Sequence, residues 1–240
     1  SQLASQNSKV CLSGDGGDEL FFGYERFWSI AKNFKYYNLP FAMKYSLYGT
    51  DKILSNNKNI NSASLFKTQG DAHSHLHSRF RDPLLSKIAP NLKNKSLPLE
   101  FDIYKYKSPK DELQLLQYMR YAEFYGMMQK TLRKVDIASM GNSLEVRVPF
   151  LKKTFIEASL KIDPYLSYGP NKGKISNKKV IIKDVLRRHL PNAPIDNIKR
   201  GFSVPISDWI KKDLKDKFNE VLHDDSMIQY FGFNKKEISK

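Results

Sequence analysis

The sequence predicts an α/β protein that is predominantly α-helical and holds little of a parallel sheet. One short apolar run, Lys9 to Leu12, stops at a glycine-rich loop and is followed by an amphipathic segment, a pattern typical of strand, tight loop and helix. Several later segments repeat apolar residues at helical spacing. Leu144 to Leu151 has an extended pattern in which Pro149 acts as a stop.

The composition indicates a globular protein. The 240 residues are 40% apolar and 12% aromatic, which is enough for a substantial core. No stretch approaches the roughly 18 to 20 apolar residues of a membrane span, and the first residues lack signal-peptide features. We therefore expect a cytoplasmic protein without membrane contact. The single cysteine, Cys11, excludes an internal disulfide and is predicted to be small and buried.

The charge of +15 makes polyanions plausible partners. The basic residues are scattered in pairs such as Lys178-Lys179 and Arg187-Arg188, and no helix-turn-helix, zinc-finger or RNP pattern occurs. This distribution favours a solvated surface with a few phosphate-binding cations and argues against a nucleic-acid partner. A basic nucleic-acid-binding protein remains the alternative from another class.

The glycine-rich loop is the most informative segment. Three glycines lie within four residues, so the backbone can take positive φ and bring its N–H groups close to a ligand. Asp15 lies inside the loop, while Asp18 and Glu19 are predicted to cap the next helix and could also bind Mg²⁺. The spacing alone leaves two interpretations open: a turn with an acidic cap, or a site for an anionic or metal-bridged ligand.

Residues 2–7 are predicted to form the last turns of a helix that leads into the first strand. After the loop, Asp18 to about Lys32 should form one helix, which Gly23 weakens by up to about 1 kcal/mol. Residues 51–64 have the composition of an exposed connection. The alternating histidines of His73 to His77 could bind a metal from a strand, but an exposed or packing role is favoured.

The second half is predicted to be helical apart from the extended segment. A long helix is expected from Asp111 to Met128, with Ser108-Pro109 at its start and its methionines in the core. The further predicted helices are Thr131 to Met140, Thr154 to Lys161, Ser176 to Leu190, and a last helix from Asp208 to about Leu222.

Three segments resemble, in the same order, the synthetase domain of glutamine-dependent asparagine synthetases. They are Ser13 to Tyr24 (SGDGGDELFFGY), Lys134 to Leu151 (KVDIASMGNSLEVRVPFL) and Lys199 to Pro205 (KRGFSVP). The resemblance implies that residues 1–240 are the C-terminal part of such a domain. It also implies the adenine nucleotide α-hydrolase-like (ATP-pyrophosphatase) fold. The family's glutaminase domain and its Ser-Gly-Gly-x-Asp-Ser ATP loop do not occur within these residues.

The resemblance implies an asparagine synthase (glutamine-hydrolysing)-like ligase that uses ATP and Mg²⁺. In the family, aspartate is adenylated with release of pyrophosphate, and ammonia from glutamine then attacks the acyl-adenylate. Pyrophosphate release needs cations beside the developing negative charge, and amide formation needs a base. This chain would supply part of the synthetase site. By itself it is not expected to release pyrophosphate from ATP. A homodimer is compatible with the family.

The resemblance also implies roles for individual residues. Asp15 matches the catalytic base or substrate-positioning acid, and Asp18 and Glu19 match the carboxylates that hold magnesium pyrophosphate. Lys199 matches the lysine that contacts the α-phosphate during adenylation, and Lys179 matches a second pyrophosphate-contacting lysine. The remaining ATP and pyrophosphate-binding residues implied by the match are Ser13, Gly14, Gly16 and Gly17. The second matching segment, Lys134 to Leu151, is called the second block below. It contributes a substrate wall or scaffold formed by Asp136, Ser139, Glu145 and Arg147.

Two departures from the family pattern bear on the substrate. Ile137 stands where the family usually has arginine, and Lys152 stands where it usually has aspartate. One cation and one carboxylate are therefore missing from their expected places. The alternatives are an amidotransferase that acts on a sugar carboxylate in surface-polysaccharide synthesis, and an inactive remnant.

Overall fold

The computed structural model describes residues 1–54, 65–77, 82–92, 99–106, 108–168, 178–195 and 204–238. These residues are mostly helical, as the sequence predicts, and contain two short strands, where one was expected at Lys9 to Leu12. In chain order the elements are α1 (Gln2–Ser5), β1 (Val10–Leu12), α2 (Gly17–Leu20), α3 (Glu25–Ala31), α4 (Phe41–Leu54), α5 (Gln69–His77), α6 (Asp82–Ile88), α7 (Glu112–Ala122), α8 (Met128–Met140), β2 (Glu145–Arg147), α9 (Lys153–Lys161), α10 (Pro164–Tyr168), α11 (Val180–His189), α12 (Ile206–Lys211), α13 (Lys215–Leu222), α14 (Asp225–Phe231) and α15 (Lys235–Ile238). No helix in these ranges is long and apolar enough to cross a membrane.

The two strands pair in parallel, which joins the glycine loop to the second block of the sequence. Cys11 lies opposite Val146, and the ladder continues where the Ser13 amide donates to the carbonyl of Arg147 at 2.9 Å. The middle residue of each strand is half-buried and its neighbours are exposed, so Cys11 is less buried than predicted. The extended segment of the sequence prediction is thus the second strand of a small parallel sheet.

The predicted single helix from Asp18 to Lys32 is wrong, because the chain breaks after one turn. Helix α2 ends at Leu20, Phe22 takes a left-handed φ of 55°, and α3 begins at Glu25. The break brings Gly23 against Asp18: a Cβ atom on Gly23 would lie 1.7 Å from Asp18 Oδ1. Gly23 is therefore not a weak point inside a helix, since its missing side chain makes room for a carboxylate.

The core forms where α3 packs on α7. Its fully buried members include Phe27, Ile30 and Leu116. Asp111 caps α7 by accepting from the Gln114 amide at 2.7 Å, so this helix starts slightly later than predicted. A π-helical turn at Glu123–Met127 joins α7 to α8. Met119 and Met128 are buried and confirm the predicted core role, whereas Met127 is half-buried.

The chain divides into two compact units. The first comprises Ser1–Leu76 and Leu99–Ile198, and the second His77–Pro98 and Lys199–Lys240. In the second unit, the Asn234 amide donates to the Ile88 carbonyl at 2.7 Å and ties the start of α15 to α6. The predicted helix over 208–222 is wrong in its continuity, because Lys212–Leu214 turns the chain between α12 and α13, and two more helices follow.

Two further predictions are changed in part. Helix α11 begins at Val180, and residues 176–177 of its predicted first turn lie outside the described residues. Helix α4 extends to Leu54 into the predicted exposed connection, whose residues 55–64 also lie outside them.

Candidate functional site

The glycine loop runs from Ser13 to Gly17 between β1 and α2. Gly16 has a φ of 89°, a left-handed conformation that glycine adopts readily, and a Cβ atom there would lie 2.9 Å from Leu151 Cδ2. A Cβ atom on Gly14 would meet nothing within 4 Å. The loop therefore packs on the Pro149–Leu151 turn on one side and presents bare backbone to open space at Gly14.

Asp15 is held inside this loop by a neighbour. The Ser13 hydroxyl donates to Asp15 Oδ2 at 2.6 Å, and the Asp15 amide donates back to Ser13 Oγ at 3.4 Å. Asp15 is half-buried. The carboxylate is thus oriented by the loop itself and retains contact with solvent, as an acid–base group needs.

Asp18 does not cap the helix, contrary to the sequence prediction. The N-cap of α2 is Gly16, and Asp18 and Glu19 lie one step further on, within the first turn. The Asp18 carboxylate instead pairs with Lys179, whose Nζ lies 2.8 Å from Oδ1. The structure thus joins two predicted site residues that are far apart in the sequence.

Lys179 reaches the loop from the start of α11. It is the N-cap residue of that helix and has a left-handed φ of 56°, which is uncommon outside glycine, asparagine and aspartate. A Cβ atom on Gly23 would also lie 2.4 Å from Lys179 Cε. Glycine at this position therefore makes room for both members of the ion pair.

Glu19 is buried, unlike the other two carboxylates. Its exposed fraction is 2%, and Tyr24 donates its hydroxyl proton to Oε1 at 2.5 Å. Burial raises the pKa of the Glu19 carboxyl above its ordinary value, and the Tyr24 hydrogen bond partly offsets this. Burial and the same hydrogen bond raise the pKa of the Tyr24 phenol strongly.

A buried ionic network lies beneath the loop, and sequence reasoning missed it. Glu123 is fully buried and accepts two hydrogen bonds from Arg26, of which the Nη2–Oε2 contact measures 2.5 Å. His73 Nε2 lies 2.6 Å from Glu123 Oε1, and the Arg26 guanidinium lies 3.7 Å from the centre of the Tyr24 ring. Burial alone would lower the pKa of the Arg26 guanidinium, but Glu123 raises it overall.

The sequence carried one signal for this network. Glu123 lies four residues after Met119, on the apolar face of the predicted helix, where a charged residue needs a partner. The histidines lie on α5, so the strand spacing considered for a metal site does not occur. His73 packs inward, and the His75 ring contacts the Phe66 ring with centroids 4.5 Å apart.

The second block is divided between the two faces of β2. Asp136 and Ser139 line a cavity of about 480 Å³ together with Val146 and Val148 of the strand segment. Glu145 and Arg147 lie on the exposed positions of the strand and pair at 2.8 Å. The Arg147 guanidinium lowers the pKa of the Glu145 carboxyl. Lys199 lies outside the described residues.

The family comparison agrees with this arrangement of motifs. The model of the asparagine synthase family matches residues 1–239. No solved structure shows a significant match. The chain is 26% identical over 238 residues to asparagine synthetase [glutamine-hydrolyzing] 1 of Bacillus subtilis (strain 168), which covers 95% of this chain and 35% of that protein.

Two further relatives carry similar names. A probable asparagine synthetase [glutamine-hydrolyzing] of Acanthamoeba polyphaga mimivirus is 32% identical over 114 residues, 45% of this chain and 20% of that protein. A putative asparagine synthetase [glutamine-hydrolyzing] of Mycobacterium tuberculosis (strain ATCC 25618 / H37Rv) is 26% identical over 217 residues, 87% and 31% respectively. The chain spans about a third of the length of the Bacillus relative. Since the family model covers nearly every residue, the chain belongs to the asparagine synthase family.

Proposed function

We propose that this chain supplies the pyrophosphate-binding half of the synthetase site of a glutamine-dependent asparagine synthetase. The reaction is ATP-dependent adenylation of a carboxylate, release of pyrophosphate, and attack of ammonia on the acyl-adenylate. The single observation that carries the proposal is the contact between Asp18 and Lys179 beside the glycine loop. The family resemblance assigns both positions to the metal–pyrophosphate group, although they lie 161 residues apart in the sequence. The parallel pairing of β1 and β2 supports the ATP-pyrophosphatase fold.

The residues fit a magnesium pyrophosphate group. Mg²⁺ takes oxygen ligands and is often bound by one or two carboxylates together with phosphate oxygens. Asp18 is partly exposed beside the loop, and Gly14 leaves open space where a side chain would otherwise stand. When bound, the metal would neutralise charge on the leaving pyrophosphate. Asp18 would hold it, and Glu19 would act as the second carboxylate only by giving up its buried hydrogen bond with Tyr24.

The other residues of the site would act on the substrates. The backbone from Ser13 to Gly17 would approach the phosphates, and Lys179 would place a point charge beside them, as Lys199 would at the α-phosphate. Asp15 would take a proton from the attacking ammonia or orient the substrate, since Ser13 holds its carboxylate in place. Asp136 and Ser139 would form a wall of the acceptor pocket.

The acceptor carboxylate remains the open part of the proposal. Aspartate is favoured by the names of the relatives, while Ile137 leaves an exposed apolar side chain where the family has a cation. A sugar carboxylate is the alternative acceptor. We propose a cytoplasmic enzyme whose positive charge serves solubility and phosphate ligands, with no nucleic-acid partner.

The test is product formation by the full-length protein with Mg²⁺, ATP, ammonia and aspartate. AMP and pyrophosphate should appear together with asparagine, and Asp18→Asn should reduce the rate about 100-fold or more, as removal of an electrostatic stabiliser does. Asp225→Asn is the matched control, because Asp225 also lies in the first turn of a short helix and pairs with a lysine, Lys235. Amide formation only with a uronic acid would favour the sugar-carboxylate alternative. No AMP with either acceptor would contradict the proposal.

A further inference from the structure

The contact between Lys179 and Asp18 is built into the fold. Lys179 holds a left-handed backbone conformation at the start of α11, and its Nζ lies 2.8 Å from Asp18 Oδ1. The exposed fractions of the two side chains are 31% and 21%, so solvent screens the pair only in part. Uncommon backbone conformations of this kind cluster at functional sites, where the surrounding structure holds them.

Gly23 makes room for this pair, and Gly17 lies beside it. A Cβ atom on Gly23 would lie 1.7 Å from Asp18 Oδ1 and 2.4 Å from Lys179 Cε, so neither group could keep its place. A Cβ atom on Gly17 would lie 3.9 Å from Lys179 Nζ, in ordinary contact. The ammonium therefore lies against the loop backbone at the carboxylate proposed to hold the metal.

This position gives Lys179 opposite effects on two ligands. A free divalent cation that binds Asp18 must displace the ammonium, which then loses its counter-ion close to a second positive charge. A metal bound to pyrophosphate brings its own negative charge, so the displaced ammonium gains phosphate oxygens as new partners. The same lysine opposes the first ligand and favours the second.

We propose that Lys179 is a specificity-determining residue that makes this site select the metal–phosphate complex over the free metal ion. The proposal rests on the proposed function and adds a preference that the family match does not supply. It implies that the cation enters with the phosphate ligand and leaves with it. Lys179 exchanges the Asp18 carboxylate for the phosphate during each binding event.

The test compares two affinities in the full-length protein and its Lys179→Met variant. Binding of Mn²⁺ alone is followed by the electron paramagnetic resonance signal of the free ion, and binding of magnesium pyrophosphate by calorimetry. In Lys179→Met the affinity for Mn²⁺ alone should rise about tenfold, because the competing cation is gone. The affinity for magnesium pyrophosphate should fall about 10- to 100-fold, because a charged hydrogen bond is lost.

Controls separate this inference from the proposed function. Lys235→Met removes a lysine from an exposed carboxylate pair and should change neither affinity. Lys179→Gln should repeat the result of the methionine variant, and circular dichroism verifies that both variants are folded. An unchanged or lowered Mn²⁺ affinity in both folded variants would overturn the inference. Failure of the unsubstituted protein to bind magnesium pyrophosphate would instead overturn the proposed function and the inference with it.

Discussion

Asp18 and Asp224 both stand at the start of a short helix, yet their carboxylates do different things. Asp224 caps α14: its Oδ1 accepts from the amides of Ser226 and Met227 at 2.8 and 3.3 Å. Asp18 is not the N-cap residue of α2, and its carboxylate pairs with Lys179. The comparison teaches that an acidic residue at a helix start is a cap only where its oxygen reaches the amides. Asp18 lies beside a lysine at the glycine loop, where the ligand role is proposed.

The largest effect on folding is expected at a third carboxylate, Glu123, which serves neither as a cap nor at the loop. Glu123→Gln should lower the free energy of unfolding by about 3 to 5 kcal/mol, because it leaves the Arg26 guanidinium and His73 without their buried partner. Urea denaturation measures this. Glu157→Gln is the control, since Glu157 is exposed and makes only a 4.0 Å contact with Lys153. Similar losses in both variants would contradict the structural role of the network.

A smaller effect is expected where Gly23 meets Asp18. Gly23→Ala should lower the free energy of unfolding by about 1 to 3 kcal/mol, because the added methyl group overlaps Asp18 Oδ1 and Lys179 Cε. Gly49→Ala is the matched control: Gly49 lies inside α4 with nothing near its Cβ position, so alanine should stabilise by up to about 1 kcal/mol. Thermal unfolding of both variants checks the signs, and a stabilised Gly23→Ala would rule out the close ion pair.

The cap at Asp224 sharpens the comparison through its pH dependence. Hydrogen bonds from Ser226 and the Met227 amide hold the pKa of this carboxyl below its ordinary value. Its contribution to stability is therefore present above the unfolded-state pKa and is lost as the pH falls through the folded-state pKa. Asp224→Asn should retain most of the stability near neutral pH but lose this acid sensitivity, whereas Asp224→Ala should destabilise at neutral pH. Parallel pH titrations of the unsubstituted protein and the two variants, followed by circular dichroism, test this difference in acid sensitivity.

A substitution at Gly14 is expected to affect ligand binding while leaving the stability of the fold nearly unchanged. Gly14→Ala should change the free energy of unfolding by less than about 0.5 kcal/mol, because the new methyl group meets nothing within 4 Å. The same methyl group should weaken magnesium pyrophosphate binding if the loop backbone approaches the phosphates. Calorimetry with the ligand checks this, and a variant that binds as tightly as the unsubstituted protein would remove Gly14 from the site.

The sequence predicted the local elements around the site better than their arrangement. Val10 to Leu12, the glycine loop and α7 follow from apolar spacing and turn residues, which are local properties. The break at Phe22 and Gly23 was not predicted, and Gly23 there lies against Lys179, which is distant in the chain and reaches the same place only in the fold. The Arg26–Glu123–His73 network is missed for the same reason, since its members come from three separate helical segments.

At the glycine loop, the resemblance of the motifs assigned ligand roles to Asp18 and Glu19, which residue spacing alone did not decide. Spacing allowed either caps or a ligand site for Asp18 and Glu19, and in the structure Gly16, not either carboxylate residue, occupies the N-cap position. It also places Glu19 beneath the loop in contact with Tyr24, which no pattern in the sequence indicates. The ligand roles of these residues stay predictions.

The measurement that tests the central claim most directly is the thermal shift caused by magnesium pyrophosphate in the full-length protein and its Asp18→Asn variant. At a hundredfold excess over the dissociation constant, binding should add about 2.7 kcal/mol to the stability of the unsubstituted protein. Asp18→Asn should fold with nearly unchanged stability and lose most of the shift, while Asp225→Asn should keep it. An unchanged shift in folded Asp18→Asn would contradict the account and leave the loop with a purely structural role.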